Sequence, residues 1–193
     1  MINVPEAPDD ADPGSLVGSI NSLCGPSIAV TACHEVPAEF NARFSARSRT
    51  YVYAILEGST PDPFLTGTTW SHRGGLDVGA MNEAAGHLLG ERDFTSFGRL
   101  PDAEATPVRN LYELEVRRTD RMVRIKVRAN AFIQQMVRSL VGTLVQVGEG
   151  KTSPAAMASI LEAKDRAAAG PVAPPHGLCL VSVEYDEGWS KPV

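Results

Sequence analysis

One arginine constrains this chain more than any other residue. Between Ala129 and Gly148 the sequence reads ANAFIQQMVRSLVGTLVQVG, and Arg138 is the only charge in it. Phe132, Met136, Leu140 and Leu144 recur every four residues, and Ile133, Val137, Val141 and Val145 repeat the pattern one position on. That spacing predicts a helix over 129–148 with a broad apolar face turned to a core. A guanidinium carried into such a core needs a carboxylate, an anion or a route to water, because breaking a buried ion pair costs roughly 3–5 kcal/mol. Arg138 is therefore either a side chain that snorkels out beside Gln134 and Gln135, or half of a buried Arg–carboxylate pair of the kind active sites use.

The segments around that helix predict an α+β chain with an antiparallel sheet and helices packed on one face. A short helix is expected over Leu16–Leu23 and a strand over Ile28–Cys33. Arg49–Leu56 is rich in β-forming residues and, as a strand, puts Tyr51, Tyr53 and Ile55 on one face. Asp77 caps a helix expected to run to Leu89 and stop at Gly90. Leu111–Arg128 reads as a hairpin turning at Thr119–Met122, with Val123, Ile125 and Val127 on one side and Arg124, Lys126 and Arg128 on the other. Ser153 and Pro154 open a further helix to about Ala167, a Pro/Gly loop covers Gly170–Gly177, and a last strand covers Leu178–Tyr185.

The formal net charge of -5 means the chain is no polycation, but its charge is uneven. Residues 1–14 hold Glu6, Asp9, Asp10 and Asp12 with no base, and are expected to be a disordered leader before a domain over 15–188 and a tail over 189–193. Arg117–Arg128 carries six bases against Asp120 alone. Cys24, Cys33 and Cys179 form no C-x-x-C and no ligand-like cluster with the histidines, which predicts reduced thiols and no metal site. The acidic start lacks the apolar core of a secretory signal, and the 129–148 segment is too polar to span a membrane, so a cytoplasmic location is expected.

Two motifs mislead. Gly148–Thr152 reads GEGKT, but a phosphate-binding loop needs a glycine where Val145 stands and must follow a strand. Arg118-Thr119-Asp120 looks like part of a catalytic aspartate motif but falls in the expected hairpin turn. What remains is a basic strand face, an aromatic pair and the lone arginine. Aromatics beside cationic side chains hold unpaired RNA bases, although a sheet tyrosine is more often core and a charged strand face more often merely solvated.

Four stretches decide between these readings: EVPAEFNARFSARSRTYVYAI (35–55), LLGERDFTSFGR (88–99), RANAFIQQMVRSLVGTLVQVGEG (128–150) and AKDRAAAGPVAPPHGLCLVSVEY (163–185). In order and spacing they resemble the tRNA pseudouridine synthase A family, which isomerises uridine to pseudouridine in the anticodon stem-loop. The resemblance implies the pseudouridine synthase fold, an antiparallel sheet flanked by helices, with no cofactor or metal and usually a homodimer. It implies that Tyr51, the first tyrosine of R-x-Y-x-Y, stacks on the target base and that Arg138 pairs with the catalytic aspartate. Leu178, in G-L-x-L, matches an apolar residue beside that base. Arg43, Arg49, Arg124, Lys126 and Arg128 are the candidate RNA contacts.

The family's nucleophile lies in a G-R-T-D-A-G-V-H-A motif that precedes the matching region and does not occur in these 193 residues. Gln134 and Gln135 stand where many members have histidines. The aspartate attacks as the glycosidic bond breaks, and tyrosine and arginine only position the reactants. The expectation is thus a portion of such an enzyme, truncated at the N-terminus and inactive alone. The alternative is a non-catalytic RNA-binding or partner-binding module.

Overall fold

A computed structural model describes residues 11–100 and 105–186. The described residues form two compact units, 11–47 with 184–186, and 48–183.

The first unit opens with α1 (Pro13–Cys24). Asp12 caps it, its carboxylate accepting from the Ser15 amide at 2.8 Å, and Pro13 supplies the preset φ of a first helical residue. Pro13 and Gly14 are therefore helical rather than part of a disordered leader; residues 1–10 lie outside the described residues. No strand forms at Ile28–Cys33. The Asn21 amide donates to the Val30 carbonyl at 2.9 Å and its oxygen accepts from the Val30 amide at 2.6 Å. A helix side chain thus takes the backbone groups a ladder would need.

The second unit is built on six strands among the described residues: β1 (Ser48–Glu57), β2 (Trp70–His72), β3 (Gly90–Asp93), β4 (Val108–Thr119), β5 (Met122–Ala129) and β6 (Leu178–Glu184). Their order is β2-β1-β5-β4-β3, with β6 also paired to β1. The sheet is mainly antiparallel, as expected, with one parallel pairing: β2 runs parallel to β1, Ile55 opposite Trp70. β2 and β3 were not expected from the sequence; three and four residues are too short to show an alternation. Asp120 and Arg121 form the two-residue turn of the β4–β5 hairpin, Asp120 at φ 52°. Val123, Ile125 and Val127 point into the core, joined by Tyr53, Ile55, Leu114 and Val116, while Arg124 and Lys126 point out.

Three helices pack in this unit: α2 (Val78–Gly86), α3 (Met136–Gly148) and α4 (Ala156–Glu162). Each is shorter than its sequence pattern. Asp77 caps α2 as expected, accepting from the Ala80 amide at 2.9 Å, but the helix ends at Gly86 rather than Leu89. Ala129 closes β5, and α3 begins only at Met136. Between them the Asn130 side chain accepts from the Asn110 and Ala131 amides, and Arg99 and Gln134 exchange backbone hydrogen bonds at 3.0 and 3.1 Å. Gln135 then adopts φ 64°, a left-handed conformation that ends any helix from the N-terminal side. The Ser153–Pro154 segment forms a turn before α4, and Lys164, at φ 48°, follows it two residues after Glu162. α3 is buried almost all round, against the sheet, α2 and the 170–173 loop, and not on one face only.

Both decoys resolve as structural. Lys151 pairs with Glu149 at 2.9 Å in a turn at the C-terminus of α3. Arg118 grips the buried Glu57, donating Nε to Oε2 at 2.9 Å and Nη2 to Oε1 at 2.8 Å. Glu57 also accepts from the Leu76 amide at 2.6 Å, and Arg118 donates to the Leu76 carbonyl. Burial pushes the Glu57 carboxyl up, but the Arg118 and Leu76 hydrogen bonds outweigh it and hold it below its ordinary value. A carboxylate with a lowered folded-state pKa stabilises fully above its unfolded value of 4.5 and loses that contribution as pH falls through the folded value. Denaturant titrations at pH 6.5 and pH 3.5 should therefore show a drop in stability that is smaller in Glu57→Gln; an equal drop in both proteins would show that Glu57 is not its source.

Candidate functional site

Alternation along β1 puts Tyr51 on the core side of the sheet, opposite Val127 of β5. It is only half-buried there. Its ring meets the edge of Phe132 at 5.2 Å and 87°. Phe132 lies in the 130–135 connection, so the residue expected to anchor a helix instead forms a wall beside the tyrosine. Tyr51, Phe132, Ile133, Met136, Arg138 and Leu178 line one depression of about 180 Å³. Most of its lining is apolar, with a cation at one side. Such a site fits a flat heterocycle against the aromatic and a carboxylate against the guanidinium.

Arg138 lies in the first turn of α3 and is half-buried. Its Nε donates to the Ala173 carbonyl at 2.6 Å, while the Ala173 amide donates to the Arg138 carbonyl at 3.0 Å. Among the described residues no carboxylate pairs with it. The Nε anchor sets the direction of the guanidinium.

A second anchor lies one residue on. Tyr53, fully buried two residues along the same strand face, donates its hydroxyl to the Pro174 carbonyl at 2.7 Å. Burial raises its phenol above the ordinary value, and the nearby Arg138 charge opposes the rise. Gly177 lies so close that a Cβ there would stand 2.8 Å from both the Ala54 carbonyl oxygen and the Tyr53 ring. The loop's near end is held by α3: the Gly170 amide donates to Thr143 Oγ1 at 3.0 Å, and Pro171 presses on Gly142. The 170–177 loop is thus tied to α3 and β1 just before it delivers Leu178 to the depression. The roles of Phe132, the Tyr53 hydroxyl and the Ala173 carbonyl were not read from the sequence. The paired tyrosines of R-x-Y-x-Y were the one available signal.

The structure separates the candidate RNA contacts from one another. Arg49 shares the Tyr51 side of β1 and donates to the Asn130 carbonyl at 3.0 Å. Arg124, Lys126 and Arg128 lie on the other side of the sheet, with acidic neighbours on β4. Lys126 pairs with Glu113 at 3.0 Å, Glu113 lies 3.8 Å from Arg128, and the Arg128 guanidinium sits 5.1 Å from the Tyr112 ring centroid. Arg43 belongs to the first unit. Among the described residues no cluster of three His, Cys, Asp or Glu could hold a metal ion, and no helix is long and apolar enough to cross a membrane.

Residues 84–186 match the family model described as tRNA pseudouridine synthase. The chain is 44% identical over 182 residues to the tRNA pseudouridine synthase A of Roseobacter denitrificans, covering 92% of this chain and 70% of that protein. It is 41% identical to that of Ralstonia nicotianae, covering 94% and 68%, and 42% identical to that of Chromobacterium violaceum, covering 91% and 67%. The segment that supplies the arginine, its carbonyl anchor and the apolar wall lies inside the matched region, and by these likenesses the chain belongs to the tRNA pseudouridine synthase family.

Proposed function

We propose that the depression is a uridine site of the tRNA pseudouridine synthase A type. The juxtaposition of Tyr51, Arg138 and Leu178 in one depression is the observation that carries this reading. Tyr51 stacks on the target base of a tRNA anticodon stem-loop, Leu178 covers its edge, and Arg138 orients an attacking aspartate. Arg43, Arg49, Arg124, Lys126 and Arg128 contact phosphates, the last three on a separate stretch of RNA because they face away from the depression. The resemblance also supports a homodimer acting in the cytoplasm.

The chemistry needs a carboxylate that bonds to the sugar or base as the glycosidic bond breaks. The 193 residues contain no G-R-T-D-A-G-V-H-A from which one would come. Asp120 cannot substitute, being fixed in the hairpin turn beyond Thr119. These residues on their own are therefore proposed to bind tRNA without turning it over. A non-catalytic RNA-binding role is the second reading, favoured by the absence of a carboxylate beside Arg138 among the described residues.

Incubating the purified chain with unmodified tRNA and mapping pseudouridine tests both parts. The expected result is weak binding that falls with added salt, and no pseudouridine. Turnover abolished by Asp120→Ala would identify a nucleophile this reading rejects, and no binding at low salt would remove tRNA as the ligand.

A further inference from the structure

Phe44 is 79% exposed in a segment that holds it there. Asn41 builds a closed turn: its side-chain oxygen accepts from the Arg43 amide at 2.9 Å and the Phe44 amide at 3.1 Å. The Asn41 amide donates to Ser45 Oγ at 3.0 Å, and the Ser45 amide donates back to the Asn41 carbonyl at 2.8 Å. The turn is fastened to its own unit, since the Tyr185 hydroxyl donates to the Ala42 carbonyl at 2.7 Å and the Tyr185 ring packs on Phe40 at 5.1 Å. Single exposed apolar residues are common and mean little by themselves. Here a hydrogen-bonded turn presents the aromatic to water, and the Arg43 guanidinium stands 5.4 Å from its ring centroid.

A ring with an open face beside a cation is the chemistry that binds an unpaired nucleotide. The base stacks on the ring and the guanidinium meets the phosphate or the π-system. A protein partner would more naturally be met by a wider apolar patch, whereas around Phe44 the sequence reads NARFSARSR, polar and basic. We propose that Phe44 and Arg43 form a stacking contact for an unpaired base of the bound tRNA, distinct from the base held at Tyr51. This rests on the tRNA reading above.

The test is the affinity of the purified chain for an unmodified tRNA transcript, measured by fluorescence anisotropy across a salt series. Phe44→Ala should weaken binding about tenfold at each salt concentration and leave the slope of log affinity against log salt unchanged, because stacking releases no counterion. Phe44→Trp should restore binding to within about twofold, and Phe44→Leu should not, since stacking needs a π-face. Arg43→Ala should reduce the slope by about one, the loss of one phosphate contact. Folding of each variant is checked by its thermal midpoint, which an exposed side chain leaves in place. Wild-type binding with Phe44→Ala unaffected, or Phe44→Leu as good as wild type, would overturn this contact while the tRNA reading stands. No wild-type binding would overturn both. If Phe44→Ala spared tRNA affinity but dissolved a self-associated species in sedimentation velocity, the surface would be a protein-docking site and the proposal would fall.

Discussion

Gly142→Ala is expected to destabilise the chain by about 3 kcal/mol, a large part of the ~5–15 kcal/mol available to a domain. Alanine normally improves a helix interior over glycine by about 1 kcal/mol. At Gly142 the added methyl would fall inside the carbonyl oxygen of Pro171, and the next nearest atom is the Pro171 carbonyl carbon at 2.9 Å. Backbone cannot rotate aside as a flexible side chain can, so the 170–173 segment must lift from α3. Lifting it breaks the Gly170–Thr143 and Ala173–Arg138 hydrogen bonds together. Gly86→Ala is the control: nothing lies within 4 Å of its Cβ position, and it should be neutral or stabilise by a few tenths of a kcal/mol. Urea titration of both variants makes the comparison. A Gly142→Ala protein as stable as wild type would show that the loop does not press on the helix.

Tyr53→Ala should cost roughly 3–5 kcal/mol, the usual range for emptying a fully buried aromatic site. The ring meets Trp70 edge-on at 6.3 Å and supports Gly177, so the void opens under the start of β6. Tyr53→Phe keeps the ring and loses only the bond to Pro174, for about 1 kcal/mol. The pH dependence separates the hydroxyl from the ring. Burial raises the folded-state phenol above its unfolded value of 10.0. Its contribution is complete below pH 10.0 and is lost as pH rises toward the folded value. Wild type should therefore lose stability between pH 9 and pH 11 more steeply than Tyr53→Phe in denaturant titrations. Identical slopes would mean that the hydroxyl is not confined as described.

These two residues also show what the sequence could and could not reveal. Tyr53 was legible: R-T-Y-V-Y-A-I alternates, and alternation determines which side chains share a face. The β4–β5 hairpin was legible for the same reason, down to its turn. Gly142 was not, because its constraint comes from a loop almost thirty residues downstream, and no local pattern encodes that approach. The start of α3 was hidden differently. Phe132 and Ile133 continue its four-residue spacing perfectly, yet Gln135 at φ 64° and the Arg99–Gln134 pairing place them outside the helix. Periodicity reports which residues are apolar, not where the backbone changes direction. The basic alternation of β5 was read correctly, but its electrostatic setting was not, since Glu113 and Glu115 face it from the neighbouring strand. The site grouping of Tyr51, Arg138 and Leu178 came from resemblance alone. Residues 51, 138 and 178 have no spacing that elementary chemistry would link.

The position of β1 has a consequence for how the chain assembles. The β4–β5 hairpin closes across two residues, so its loop-closure entropy is small and it can form early from local contacts alone. β1 precedes that hairpin in the chain by about fifty residues, yet pairs with β5 through eight consecutive partners from Arg49–Ala129 to Leu56–Met122. Its other edge accepts β2 and β6, the latter from the far end of the chain. Long-range strand pairing pays its entropy before any bond is made, so insertion of β1 beside a ready-made hairpin is the costly step. Tyr51 and Tyr53 ride on that strand and meet Phe132 and Pro174 only once it is in place. The depression lined by Tyr51 is accordingly complete only when β1 has paired with β5, and the β4–β5 hairpin alone would not display it.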